Sequence, residues 1–500
     1  MKNIFSIVCF CFLTLGYGQR KFETVAEAIG IESLSQFKAF LALPNDAANG
    51  DEILKNIDWA TVQLERLDFE VKSLKTPTRP LLVANHQYRK NAPTIAFYMH
   101  LDGQAVDRSK WFQDDPYDAV LKKKQGNEFV TVGWEALEAH SYDDLRIFAR
   151  SASDDKGPFV MLLTALAYLK EQKKKPAFNM KLILDFEEEQ SSAGLPYAVA
   201  NYKDDLKAEL LLILDGPMHS SGLPTLVFGN RGIASLTLTT YGPITPQHSG
   251  HYGNYLPNPA LDLAKILASM KDDEGRVVLP DFYKGITIDA AAKKVLNGVP
   301  EEENAIKART QTLRNDQVGA TYQESLQYPS LNIRGMQSGW VGDKARTIIP
   351  STATAEMDIR LVLESKPEEL IQAVKNHIEK MGYTVLDHVP SSSERMIYSR
   401  IVTLESKIAY PAFRTNTESK EGLWMADILK QYYGKEPVII RTSGGSVPIS
   451  PFVSQLGIPA IGLPTVNLDN NQHSPNENLS IPNYLNGIET FLVVLTSRLK

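Results

Sequence analysis

Five groups of acidic and imidazole side chains carry the chemistry of this sequence: His100-Leu101-Asp102, Asp154-Asp155, Glu187-Glu188-Glu189, Asp215 and His473. All but one follow apolar runs; Asp154 and Asp155 instead precede a helical stretch. Carboxylates gathered in one crevice are costly unless cations neutralise them, so the set is read as a metal site. Two imidazoles with several carboxylates suit borderline divalent ions, zinc first, with manganese or cobalt as alternatives. In extended backbone His100 and Asp102 face the same side, which lets Asp102 orient the imidazole from behind. Each fragment alone has a plainer explanation. Asp154 and Asp155 would serve as a helix start, the three glutamates as a solvated face, and His473 as part of a turn. It is their coincidence that the plain explanations do not cover.

Bringing such residues together takes strands that end at one edge. Residues 94–99, 181–184 and 211–214 are short apolar runs that predict buried strands, and residues 159–169 predict a helix. Buried strands alternating with helices predict an α/β domain whose mostly parallel sheet is covered on both faces. Ligands of such sheets lie beyond the carboxyl ends of the strands, where these clusters fall. Residues 22–75 predict two amphipathic helices ahead of it. From Arg231 the texture changes: residues 233–239 alternate as a half-exposed strand does. Helices at 260–270 and 367–380 and strands at 354–362 and 383–387 follow. The stretch predicts a smaller inserted α+β domain, after which apolar strands return at 438–440 and 458–462. The expected boundaries are 1–18, 19–229, 230–405 and 406–500.

Composition narrows the class further. At 500 residues, 43% hydrophobic and 22% charged, the chain folds and holds two to four domains. A net charge of −6 gives no whole-chain basic excess to draw it onto nucleic acid or acidic lipid. Its two cysteines, Cys9 and Cys11, both sit in the first apolar run, which excludes a disulfide scaffold, thiolate-bound zinc and thiol catalysis. Lys2, the apolar run 4–15 and small Gly16 and Gly18 have the layout of a cleaved export signal. The expectation is cleavage after Gly18 and a periplasmic or secreted protein without stable membrane insertion. The nucleophile elbow of serine hydrolases, the zinc helix of two spaced histidines, and the phosphate-binding loop of nucleotide hydrolases are all absent from the sequence.

With these residues in view, the sequence resembles the dinuclear zinc metallopeptidases that include carnosinase-like dipeptidases, glutamate carboxypeptidase and aminoacylase. The resemblance spans nearly the whole chain after residue 18. It runs through His100 to Gln104, Ser153 to Pro158, Asp185 to Leu195, His248-Ser249-Gly250, Arg360-Leu361, and Gly444-Gly445-Ser446. Ala105 and Ser191 depart from the family pattern. The resemblance implies two divalent metal ions per chain, held by His100, Asp154, Glu189, Asp215 and His473. It implies Glu188 as the catalytic acid/base, with Asp102 and His248 assisting. Arg360, Ser446 and His248 are implied to bind substrate, Arg360 taking its C-terminal carboxylate. The inserted domain is implied to be a lid and dimerisation domain, and so the protein a homodimer. The expected activity is hydrolysis of small peptides. The alternatives are an N-acyl amino acid amidohydrolase, a single-residue carboxypeptidase and, third, a non-catalytic binding protein.

Overall fold

The structure, a computed structural model, describes residues 13–300 and 303–499. The chain divides into two compact units, one of Met1–Gly229, Thr415–Arg441 and Pro451–Lys500, the other of Asn230–Arg414 and Thr442–Ser450.

The first unit is built on an eight-stranded sheet. In spatial order its strands are Glu70–Leu74, Leu81–His86, Asn179–Asp185, Thr94–His100, Leu210–Ile213, Ala460–Gly462, Thr225–Val227 and Val438–Ile440. The central pairs, from Asn179–Asp185 through Ala460–Gly462, are parallel; the pairs joining Glu70–Leu74, Leu81–His86 and Asn179–Asp185 are antiparallel. All seven residues of Asn179–Asp185 are buried, as both-face coverage requires of an apolar central strand. The α/β class expected of the sequence is therefore the observed one. Helices Lys156–Glu171, Leu13–Leu41 and Ile481–Thr496 pack together, their core including Phe37, Phe40, Phe159 and Phe491. Glycine makes one such approach feasible: a Cβ on Gly157 would stand 2.2 Å from the Ala152 carbonyl oxygen.

Three features of this unit depart from the sequence reading. Glu70–Leu74 is a strand inside a stretch expected to be helical. Residues 121–146, where the sequence reading placed no element, form most of a second sheet of Val120–Gln125, Glu128–Thr131, Leu145–Phe148 and Asn478–Ser480. Its fourth strand comes from the far end of the chain, a pairing that no local pattern announces. Thirdly, the first twelve residues of the expected export signal lie outside the described residues, and helix Leu13–Leu41 runs through the rest of it. Among the described residues no helix is long and apolar enough to cross a membrane.

The second unit has a five-stranded sheet in the order Ser330–Gln337, Thr352–Leu361, Gly232–Tyr241, Ile401–Tyr410, Thr384–Leu386. Burial alternates residue by residue along Gly232–Tyr241, so one face is fully covered and the other half-buried. Helices Pro259–Ala268 and Pro367–Lys380 supply the cover, and Leu236, Leu238, Ile266, Met357 and Val374 fill the core between. The sequence reading placed both helices but missed the strands Ser330–Gln337, largely exposed, and Ile401–Tyr410, exposed in its middle, neither of which keeps an alternating burial pattern along its length.

Candidate metal centre

His100 ends its strand directly opposite Asp185, and Leu210–Ile213 on the other side runs out toward Asp215. Asp154 immediately precedes helix Lys156–Glu171, across a cis Asp154–Asp155 peptide. Glu188 and Glu189 form a tight turn after Asn179–Asp185. His473 lies in the loop that links Ala460–Gly462 to Asn478–Ser480. It sits at φ +59°, a left-handed conformation that costs a non-glycine residue about 1–3 kcal/mol. Bonds from the neighbouring Asn471 and Asn478 side chains to the Asn470 and Asn476 carbonyls fix the loop in spite of that cost.

The fold brings these five residues into two groups. One ligand atom each from His100, Asp154 and Asp215 lie within 4.8 Å of one another, and the same holds for Asp154, Glu189 and His473. Asp154 belongs to both and turns a different oxygen to each. Its Oδ1 is 2.8 Å from His100 Nε2, and its Oδ2 is 3.2 Å from His473 Nε2. That Oδ2 is buried and makes no well-aligned hydrogen bond, so a lone pair is left for another acceptor of electrons. His473 Nε2 also stands 3.2 Å from Glu189 Oε2. Three nitrogen and oxygen donors per group, with further coordination positions left over, is the donor set of catalytic zinc sites. The residues present fit a pair of divalent cations.

The electrostatics agree. Burial pushes the Asp215 carboxyl up to about 6, with Asp154 adding to the rise. Glu189 is pushed up to about 7 by burial and by Asp154. Burial also raises Glu188 well above the carboxylate range; Asp215, Glu189 and Asp102 push the same way and His100 opposes. Asp154 goes the other way, because the His100 and His473 imidazoles beside it outweigh its burial. For His100, burial disfavours the imidazolium, but Asp102 and Asp154 prevail and hold it high. A crevice in which carboxylates keep protons and imidazoles gain them is short of positive charge, and divalent ions would supply it.

Around the ligands stands a shell that the sequence reading saw only in part. Asp102 is fully buried, with Oδ1 3.4 Å from His100 Nδ1, the orienting position expected of it. It does more: Oδ1 accepts the amide of Glu188 at 3.1 Å and Oδ2 that of Glu189 at 3.0 Å, which fixes the glutamate turn. Gln104 Nε2 donates to Glu189 Oε2 at 2.7 Å. Glu477, fully buried, was not singled out. Its carboxylate accepts the amides of Ser151, Ser153 and Asp154 at 2.9–3.0 Å and pairs with Arg150 at 2.8 Å. It therefore ties the His473 loop to the Asp154 loop. The signal was available: a glutamate four residues from a candidate histidine, within the same short motif.

The second unit holds the other expected residues. Arg360 Nη1 donates to Ser446 Oγ at 2.8 Å, and its Nε lies 3.5 Å from Asp358. Strand Thr352–Leu361 and the loop of residues 442–450 bring that pair together. His248 is exposed and accepts the Gly250 amide on Nδ1 at 2.9 Å.

Comparison with known proteins places the chain. Residues 96–497 match the model of peptidase family M20/M25/M40. The human Beta-Ala-His dipeptidase is 24% identical over 484 residues, covering 92% of this chain and 89% of that protein. The Cys-Gly metallodipeptidase dug1 of Schizosaccharomyces pombe is 24% identical over 496 residues, covering 95% of each. Among solved structures, the M20 family metallo-carboxypeptidase Sso-CP2 of Sulfolobus solfataricus superposes with a TM-score of 0.75 at 26% identity. It covers 93% of this chain and 98% of its own. The chain belongs to peptidase family M20/M25/M40, and it is a metallopeptidase.

One expectation is corrected here. The cleaved export signal and the periplasmic or secreted location drawn from it are withdrawn. The likeness over 95% of the chain is to Cys-Gly metallodipeptidases of yeasts, and it gives an export signal no support.

Proposed function

We propose that this metallopeptidase is a dipeptidase, hydrolysing short peptides that end in a free carboxylate. The observation that carries the reading is the pair of three-residue groups sharing Asp154, with Glu188 beside them. The dipeptidases among its relatives support the choice of substrate. In this reading His100, Asp154 and Asp215 hold one divalent ion and Asp154, Glu189 and His473 the other, zinc being the first candidate. Bound there, the ions supply Lewis acidity, which lowers the pKa of a water from about 15.7 toward about 7.

Glu188 is the proton carrier. Among the described residues its carboxylate makes no hydrogen bond, while its amide is held by Asp102, so the side chain is positioned but uncommitted. Burial and its acidic neighbours give it a high proton affinity, suited to taking a proton from water and returning it to the leaving amine nitrogen. Asp102 keeps both the His100 ring and the glutamate turn in place. Arg360 receives the peptide's terminal carboxylate, for which a guanidinium fork is the fitting partner, and Ser446 fixes that guanidinium. His248 steadies the oxyanion of the attacked carbonyl, and the second unit serves as the dimerisation surface of a homodimer.

The test pairs metal analysis with turnover on one preparation. About two ions per chain and dipeptide hydrolysis are expected, with activity lost on chelation and restored by zinc or manganese. Glu188→Gln should lower kcat by about 10²–10⁴-fold and leave metal content unchanged. The absence of metal after reloading would refute the mechanism. N-acetyl amino acids and longer peptides, run in the same panel, separate the amidohydrolase and the carboxypeptidase. The similarity to a metallo-carboxypeptidase makes the latter the second reading.

A further inference from the structure

The second unit contains a cavity of about 330 Å³, within the size range of small-molecule sites. Among the described residues, four cations line it, Arg231, Lys271, Lys307 and Arg314, against two carboxylates, Glu303 and Asp316. The carboxylates are already engaged: Asp316 holds Lys271 at 2.9 Å and Glu303 holds Lys307 at 2.8 Å. That leaves two guanidiniums. Among the described residues neither Arg231 nor Arg314 has a carboxylate at ion-pair distance; Arg314 donates to the Asp273 carbonyl.

Arg231 is the more telling of the two. It is 8% exposed, and its Nη2 donates to the Tyr328 carbonyl at 2.5 Å and to Ser330 Oγ at 3.2 Å. Its Nε is buried and makes no hydrogen bond. A buried donor left idle is expensive, more so on a charged group. Burial and the nearby Arg360 guanidinium pull Arg231 down to about 10, with Tyr322 and Asp358 opposing.

The cavity also adjoins the loop that holds Arg360. The Arg231 amide donates to the Gly445 carbonyl at 3.1 Å, and a Cβ on Gly444 would stand 4.0 Å from Tyr322 Oη on the cavity wall. The next residue of that loop, Ser446, is the one that fixes Arg360. A C-terminal residue whose main-chain carboxylate sits on Arg360 thus has an unneutralised guanidinium close by for its side chain.

We propose that this cavity receives the side-chain carboxylate of an acidic C-terminal residue, so that peptides ending in Asp or Glu are the favoured substrates. The assignment rests on the dipeptidase reading above and deepens it. Asparagine and glutamine are nearly isosteric with these residues but uncharged, so they isolate the charge.

The experiment compares Ala-Asp with Ala-Asn and Ala-Glu with Ala-Gln on the metal-loaded full-length protein. Alongside it, calorimetric titration of the chelated protein with the same peptides reads binding without turnover. A charged hydrogen bond predicts at least about a tenfold preference for the acidic member, carried by KM. Arg231→Met should bring it near parity, and Arg231→Lys should keep part of it. Arg314→Met, on the exposed rim and outside the buried bonds, should lower it less; it keeps the test open if Arg231→Met fails to fold. Parity in the unmodified protein, or a preference surviving both methionine variants, overturns the assignment. Hydrolysis without acidic preference sinks the cavity and spares the dipeptidase. Selective binding without hydrolysis does the reverse, and neither binding nor hydrolysis removes both.

Discussion

The centre depends on single atoms whose partners are fixed by other single atoms, and Glu477 is the clearest case. Its fully buried carboxylate satisfies the amides of Ser151, Ser153 and Asp154 and one guanidinium. Glu477→Gln sets an amide NH₂ against amide donors and leaves Arg150 buried without its counter-charge. Breaking a buried pair of this kind costs about 3–5 kcal/mol. Because the same amides shape the Asp154 loop, metal affinity should also fall, by about 10–100-fold. A denaturant melt and a competitive zinc titration on one preparation read both. A variant that melts lower yet binds zinc as before would show that Glu477 serves stability alone. The candidate ligands that the fold groups together were legible in the sequence, since acids and histidines beside apolar runs announce themselves by type. Glu477 was not, because a buried glutamate among Ser, Pro and Asn looks like any polar loop residue until its partners, more than 300 positions away, are known.

At the scale of elements, two contacts make checkable claims. Helix Lys156–Glu171 starts so close to its own approach loop that a Cβ on Gly157 would meet the Ala152 backbone oxygen at 2.2 Å and Leu479 Cδ2 at 2.9 Å. Backbone cannot yield as a flexible side chain can. Gly157→Ala should therefore destabilise by about 1–3 kcal/mol, measured as a lower urea midpoint at unchanged slope. The second contact lies on strand Asn179–Asp185, where the Lys181 ammonium donates to the Lys207 and Asp205 carbonyls. Burial holds it down to about 8 from 10.5. Between those values the unfolded chain binds more protons than the folded one, so this lysine's contribution to stability rises with pH across that window. Urea melts at pH 8 and pH 10 should show a smaller gain in Lys181→Met than in the unmodified chain. Legibility follows the same physics: Asn179–Asp185 and Pro367–Lys380 were readable because apolar pattern and burial coincide along them. The exposed strands of the second unit and the small second sheet have no such pattern, and their pairings are non-local.

All five candidate ligands lie in the first unit, which gives metal binding a signature for the molecule as a whole. An ion bound only by the folded state stabilises it by mass action, about 2.7 kcal/mol at a hundredfold excess over Kd. Scanning calorimetry should therefore show chelation lowering the transition of that unit while the transition of the second stays where it was. Equal shifts in both would mean that the units melt as one.

That first unit is also assembled from the two ends of the chain, and this has a consequence in time. Helix Ile481–Thr496 packs on Lys156–Glu171 and Leu13–Leu41, yet about 310 residues separate the end of Lys156–Glu171 from its start. At about 5–20 residues per second, the ribosome needs about 15–60 s to deliver it. Throughout that interval the early helices hold an uncovered apolar face, and the centre lacks His473. Under the proposed mechanism a nascent chain is inert toward peptides until His473 has emerged, and its apolar face stays uncovered for longer than that of a unit assembled from neighbouring segments.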